Sequence, residues 1–144
     1  MRLIKNYSLG QKQTFTELVG LEWGEDFSKI EEKYNPDIIL AVSEGRVVAG
    51  IAVFKEKVPE GTIIKEVVDE YRNRKIPYLG YFVVDHSCRG QGIGSAFMQK
   101  FLKKFPSQKF WLVIEDLALQ RFYEKNGFHL VQQIKEEKIF STEI

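Results

Sequence analysis

The chain has 144 residues, 44% of them hydrophobic, enough for one globular domain with a buried core. Its 21 basic and 20 acidic residues leave a formal charge of +1, so no surplus charge draws it to a phosphate backbone or an anionic membrane. Cys88 is the only cysteine, which excludes an internal disulfide framework and fits a reducing compartment; there is no signal-peptide pattern at residues 1–7 and no apolar run of bilayer-spanning length. The expectation is one undivided cytoplasmic domain over residues 1–144, with no nucleic-acid or membrane partner.

Leu3 and Ile4 suit a short first strand. Over residues 12–23, Phe15, Leu18, Val19 and the run 21–23 fall roughly on one helical face; over 25–34, Phe27, Ile30 and Tyr34 do the same until Asn35-Pro36 stops the helix. Residues 37–43 and 46–54 are β-type runs joined by Glu44-Gly45, the pattern of an antiparallel hairpin, which residues 59–61 end. From 63 to 71 the spacing of Ile63, Ile64, Val67, Val68 and Tyr71 is helical, with charged residues on the other side, and Pro77 closes the segment.

Residues 78–84 are almost wholly apolar and aromatic, which predicts a central strand buried on both faces. Ile93, Ala96, Phe97, Phe101, Leu102 and Phe105 then repeat at three and four residues, a helix ending at Pro106 with Lys100, Lys103 and Lys104 near its negative end. Residues 109–114 predict a buried strand, 117–126 a helix with Gly127 as its left-handed cap, and 129–134 and 137–140 two closing strands. The order gives an α/β (α+β) fold, a mixed, mostly antiparallel sheet with one parallel β-α-β step and flanking helices.

Chemistry is concentrated where the central strand meets the following helix, at Arg89-Gly90-Gln91-Gly92-Ile93-Gly94. Such a junction exposes unpaired backbone amides at the positive end of a helix dipole, and glycines let an anion approach them, so a phosphate or diphosphate is implied. A Walker loop is excluded because no lysine precedes Ser95. A dinucleotide fingerprint has an acid pair, Glu115 and Asp116, at a suitable distance, but its third glycine position falls on Ser95 or Phe97.

The stretch Val84-Asp85-His86-Ser87-Cys88-Arg89-Gly90-Gln91-Gly92-Ile93-Gly94 resembles the acyl-CoA signature of GNAT N-acyltransferases, Arg/Gln-x-x-Gly-x-Gly/Ala after a strand ending in Val. Residues 116–128, with Tyr123-Glu124-Lys125-Asn126-Gly127-Phe128 at their end, resemble the family's second signature, although Asp116 replaces its usual Asn and Leu119 its usual Ala. The two stand in the family's order, and the resemblance spans roughly residues 37–140. It implies an N-acetyltransferase that passes an acetyl group from acetyl-CoA, its cosubstrate, directly to a primary amine of a small molecule or peptide.

The resemblance further implies that Arg89, Gly90, Gln91, Gly92, Ile93, Gly94 and Ser95 wrap the diphosphate. Phe82, Val83 and Val84 line the pantetheine, whose pairing needs strands 78–84 and 109–114 to splay, and an amide near Val84 faces the oxyanion. Asp116 and Phe122 are further cofactor contacts, with Asp116 equally suited to cap a helix. Tyr123 is the general acid for the departing thiolate, its alternative being a packing residue. Glu115, Asp85, His86 and water are the candidates for general base, with Glu115 at the strand end facing the expected cleft.

Cys88 has no histidine-and-acid arrangement to make it a nucleophile, and His86 and His129 are too isolated for a metal site. Glu22, Glu25 and Asp26 form an acidic junction that either attracts a cationic amine or solvates a turn. The protein is expected as a monomer or homodimer. The competing readings are a non-catalytic acyl-CoA-binding module and a dinucleotide-binding domain.

Overall fold

The structure, a computed structural model, describes residues 1–59, 65–134 and 136–143. In chain order the elements are β1 (Arg2–Ile4), α1 (Leu9–Trp23), α2 (Phe27–Tyr34), β2 (Asp37–Ser43), β3 (Arg46–Phe54), α3 (Lys65–Asn73), β4 (Tyr78–Val84), α4 (Ile93–Lys104), β5 (Trp111–Ile114), α5 (Gln120–Lys125), β6 (His129–Ile134) and β7 (Glu137–Ser141). The strands form one sheet in the order β1-β2-β3-β4-β5-β7-β6. Among the described residues β4 and β5 are its one parallel pair, and every other neighbouring pair is antiparallel. This is the mixed sheet that the order of apolar runs predicts.

Local sequence accounts for most of the boundaries. Ser8 and Gln11 close a reciprocal capping box at the start of α1, and Gly24 ends that helix in the left-handed region. The β2–β3 hairpin turns through Glu44 (φ 52°) and Gly45 (φ 75°), two consecutive left-handed residues as a tight hairpin requires. The helix expected over 117–126 is instead a 3-10 turn, Leu117–Leu119, followed by α5. The Asp116 carboxylate accepts from the amide of Ala118 and tightens that first turn. The expected helix after the hairpin is seen from Lys65; Gly61, Ile63 and Ile64 lie outside the described residues.

Alternation along β2 and β3 divides the core between the two faces of the sheet. Ile39, Ala41, Val48, Ile51 and Val53 pack with Phe97, Met98 and Phe101 of α4. Ile38, Leu40, Ala52 and Phe54 pack with Phe15, Val19 and Phe27 of α1 and α2. Tyr71 of α3 stacks on Trp111 at 4.5 Å, and Val67 and Ile139 join that cluster, so α3 packs on the sheet over β5 and β7.

Close approach of α1 to β3 depends on Gly50, where an added Cβ would lie 2.5 Å from the Phe15 ring and 2.9 Å from a Leu40 methyl. Neither Phe15 nor Leu40 has exposed surface into which to retreat. Gly50→Ala is therefore expected to lower the unfolding free energy by about 1–2 kcal/mol, the usual cost of overpacking a fitted core, as read from urea denaturation. An unchanged midpoint would mean that α1 moves freely on the sheet.

The feature that positions the site is in β4. The β3–β4 register slips between Gly50 and Ala52, so Tyr81 and Phe82 both stand against Ile51, and Tyr81 takes φ 55°. An aromatic residue in the left-handed region is strained and marks a bulge that bends its strand. Beyond the bulge β4 leaves its parallel neighbour, and the two strands are in register only at Tyr78 and Trp111. The expected burial of 78–84 on both faces is corrected accordingly: Leu79 and Val83 are buried, whereas the other five residues are partly open along the gap.

Candidate active site

Divergence of β4 and β5 leaves a cavity of about 780 Å³, bordered by both strands, the turn before α4, the start of α5 and the α1–α2 junction. Its β4 wall presents backbone. The Asp85 amide donates to Val48 in β3 (2.8 Å), and successive residues of a strand point their amides to opposite edges. Phe82 and Val84 consequently turn their N–H and C=O groups towards the gap, while Val83, buried and in register with Gly50, turns its own towards β3. The Val84 carbonyl is met by Nε of Arg89 at 3.3 Å.

At one end of the cavity the turn before α4 gathers free donors. The Arg89 amide is already used, donating to the His86 carbonyl at 3.3 Å, which removes it from the expected set. Among the described residues no protein group accepts from the amides of Gly90, Gln91, Gly92, Ile93, Gly94 or Ser95 in hydrogen-bonding geometry. Gly90 (φ 78°) and Gly92 (φ 75°) supply the left-handed conformations that wind these amides around the head of α4. No acidic residue occupies the first turn of α4, so its positive end is uncompensated.

Phe122, half-buried, lies against Gly94, where a Cβ would come 3.2 Å from its ring, and stacks on Phe82 at 5.9 Å. Asn126, buried at 5% exposure, ties α5 to this turn by donating to the Phe122 carbonyl (2.8 Å) and the Ser95 hydroxyl (3.3 Å). Sequence reading passed over Asn126, because a polar residue before Gly127 has the same signature as an ordinary helix end. Gln91 and Ser95 are in the turn but outside the cavity lining, whereas Asp116 lines the cavity as well as capping its turn.

Tyr123 lines the cavity at 8% exposure, edge-on to Phe122 and Phe128. Among the described residues its hydroxyl has no hydrogen-bond partner. Burial pushes its phenol above the ordinary tyrosine range, so it holds its proton throughout the neutral range. Glu115, exposed at the end of β5, also borders the cavity. Of the other candidate bases, Asp85 accepts from the Ser87 amide and hydroxyl, both 3.0 Å away, and these hydrogen bonds, the amide's first, hold its carboxyl below the usual range. His86 is exposed, with Nε2 3.6 Å from Glu22.

The α1–α2 junction borders the same cavity with residues that sequence alone did not bring together. Glu22 forms an ion pair with Arg89 at 2.7 Å, Trp23 packs edge-to-face on Tyr81 at 5.3 Å, and the Tyr81 phenol is pushed up, first by burial and then by the nearby Glu25 carboxylate. Asp26, the third acid of that junction, is the cap of α2, its carboxylate bound to the amide and hydroxyl of Ser28. Cys88, buried in the cavity wall, accepts from Nη2 of Arg46 at 3.1 Å.

A sheet split at its parallel step, with unpaired amides and a helix head at one end of the gap, defines an α/β protein built to hold an extended ligand that carries an anionic group. The acetyltransferase (GNAT) family model matches residues 7–128, and the chain belongs to that family, whose reaction is acetyl transfer from acetyl-CoA. It is accordingly an enzyme of acyl-CoA-dependent transfer. No curated protein sequence matches it.

Among solved structures it is similar to a Streptococcus mutans protein (TM-score 0.70, 20% identity, covering 98% of each chain). It is similar also to an acyl-CoA N-acyltransferase from Pseudomonas aeruginosa (TM-score 0.67, 14% identity, 97% of this chain and 96% of that one). A third similar structure is an aminoglycoside 6'-N-acetyltransferase complexed with coenzyme A (TM-score 0.69, 18% identity, 98% and 96%). At these identities the structural likeness concerns the fold. Among the described residues no helix is long and apolar enough to cross a membrane.

Proposed function

We propose that this chain is a single GNAT-like domain over residues 1–144 that transfers an acetyl group from acetyl-CoA to a primary amine of a small molecule or peptide by direct attack. It acts in the cytoplasm, as a monomer or homodimer, without a nucleic-acid or membrane partner. The observation that carries the reading is the gap between β4 and β5, flanked by free amides at one end and by a buried, protonated tyrosine in its wall.

The donor set fits the cosubstrate. Amides of Gly90 to Ser95 at the head of α4 suit a diphosphate. The gap-facing backbone groups of Phe82 and the Val84 amide suit an extended amide-bearing arm, which they would take up as a strand; the Val84 carbonyl already accepts from Arg89. Phe122 and Asp116 border the same path, and Val83 supports it from the β3 side. When bound, acetyl-CoA supplies an acyl thioester.

The chain's own groups then divide the work. The Val84 amide, pointing into the gap, faces developing negative charge on a carbonyl oxygen. The Tyr123 hydroxyl keeps a proton for a departing thiolate. Glu115, exposed at the gap's end, passes the amine's proton to solvent. Asp85 is less suited to that task, since Ser87 occupies it and stabilises its ionised form.

Calorimetric titration with acetyl-CoA, CoA, NAD and ATP, followed by thiol release across a panel of amines, tests the reading. Binding of acetyl-CoA and CoA, without binding of NAD or ATP, is the expected result. NAD binding without CoA binding would move the chain to the dinucleotide-binding reading; tight CoA binding with no turnover of any amine would leave a non-catalytic acyl-CoA-binding module.

A further inference from the structure

The cavity is lined by groups of both signs. The head of α4 is positive, with free amides and no acid in the first turn. Against the same turn, with Glu22 2.7 Å from Arg89, is the C-terminus of α1, a 15-residue helix whose last turn contains no basic residue and whose final residues, Glu22 and Trp23, line the cavity with Glu25. The negative pole of α1 and two carboxylates therefore face the space in which an acceptor would lie.

These two carboxylates differ. Glu22 has a counter-ion, the Arg89 guanidinium at 2.7 Å. Glu25 lies near Tyr81, a neutral group, and among the described residues no lysine, arginine or histidine stands within ion-pair distance of it. Beside it are two rings, Trp23, 42% exposed, and Tyr81, edge-to-face at 5.3 Å. An unneutralised carboxylate beside exposed aromatic surface is the recognition chemistry of an organic cation, with the ring quadrupole and the carboxylate acting on the same charge.

That chemistry is wrong for the attacking nitrogen. An amine attacks through its lone pair after giving up a proton, the task assigned above to Glu115, whereas a carboxylate joined by aromatic rings and a helix C-terminus holds an ammonium in its charged form. Resting on the acetyltransferase reading above, we infer that Glu25, Trp23 and Tyr81 anchor a second, distal ammonium, so that the acceptor is a diamine or longer polyamine acetylated at the end remote from them. The strained φ of 55° at Tyr81 has a use on this account: the bulge that opens the gap also sets the Tyr81 ring against Trp23 in the wall that Glu25 shares.

The test compares 1,4-diaminobutane with n-butylamine, which has the same chain without the distal charge, as acceptors for the purified full-length protein with acetyl-CoA. The diamine is expected to have the higher kcat/KM by about tenfold or more, mostly through KM, as one desolvated cation–aromatic contact with a carboxylate provides. Glu25→Gln should reduce that ratio about tenfold and leave calorimetric acetyl-CoA affinity intact. Equal kcat/KM for the two amines, or an unchanged ratio in Glu25→Gln, overturns the inference. So does a parallel fall in kcat for both amines, which would make Glu25 a base.

A binding measurement separates failure of the anchor from failure of the transferase reading. Trp23 is the half-exposed one of two tryptophans, Trp111 being buried at 1%. Fluorescence should change on titration with 1,4-diaminobutane but not n-butylamine, and the change should vanish in Trp23→Phe and in Glu25→Gln. If no amine releases thiol yet this signal is present, the transferase reading fails and the cation site stands. Turnover without the signal or the kinetic preference disposes of the site alone.

Discussion

Tyr123→Phe is expected to reduce kcat by about a hundredfold or more, the usual contribution of a positioned proton donor, while acetyl-CoA affinity stays within about twofold. The ring is buried at 8% exposure against Phe122 and Phe128, so phenylalanine fills the same space and only the hydroxyl is lost. That hydroxyl has no protein partner among the described residues, and its removal strands no buried group. A drop in turnover without a drop in stability would therefore report proton donation, not packing.

The pH profile adds a second readout. Burial raises the Tyr123 phenol above its ordinary value near 10, so the donor form persists as pH rises through the range in which the acceptor amine loses its proton. Wild type and Tyr123→Phe should thus share one rising limb between neutral and mildly alkaline pH and differ in plateau height. Unchanged kcat in the variant would remove Tyr123 from the chemistry and return it to its alternative role as a packing residue on α5.

Gly92→Asp is expected to weaken CoA binding by about a hundredfold, whereas Gly92→Asn weakens it by severalfold at most. Gly92 has φ 75° and open space where a Cβ would stand, so both substitutions fit sterically, and Asn and Asp are the side chains that best tolerate that conformation. The pair differs by one charge at the head of α4. A carboxylate there occupies the free amides and repels a diphosphate, and a close like-charge contact costs several kcal/mol. Equal CoA affinity in the two variants, measured by calorimetry at matched ionic strength, would place the phosphates elsewhere.

Local signals were sufficient wherever a residue's behaviour depends on its immediate neighbours. Apolar β-type runs bounded by turn residues gave β2, β3 and β4 to the residue, and Glu44-Gly45 gave the hairpin turn. Period-3.6 spacing gave the helices but blurred their ends, as at residues 117–119, where the Asp116 side chain competes with the helix for the Ala118 amide. The glycine turn was legible as an anion site because dihedral freedom and unpaired amides follow from residue type and position in the chain. Which amides remain free was not, since the His86 carbonyl captures that of Arg89.

What the sequence determined by itself is the alternation of apolar runs, the order of strands and helices, and the placing of a glycine-rich turn between a buried strand and a helix. Tertiary structure alone decided that β4 parts from β5, because a bulge at Tyr81 is a compromise between pairing with β3 and packing under α1 and α2, and no run of seven apolar residues announces it. It also decided that Glu25, Trp23 and Tyr81 meet in the wall of the cavity that Tyr123 lines too. Residues so far apart in the chain have no period or spacing in common; they are brought together by burial of the surfaces between them.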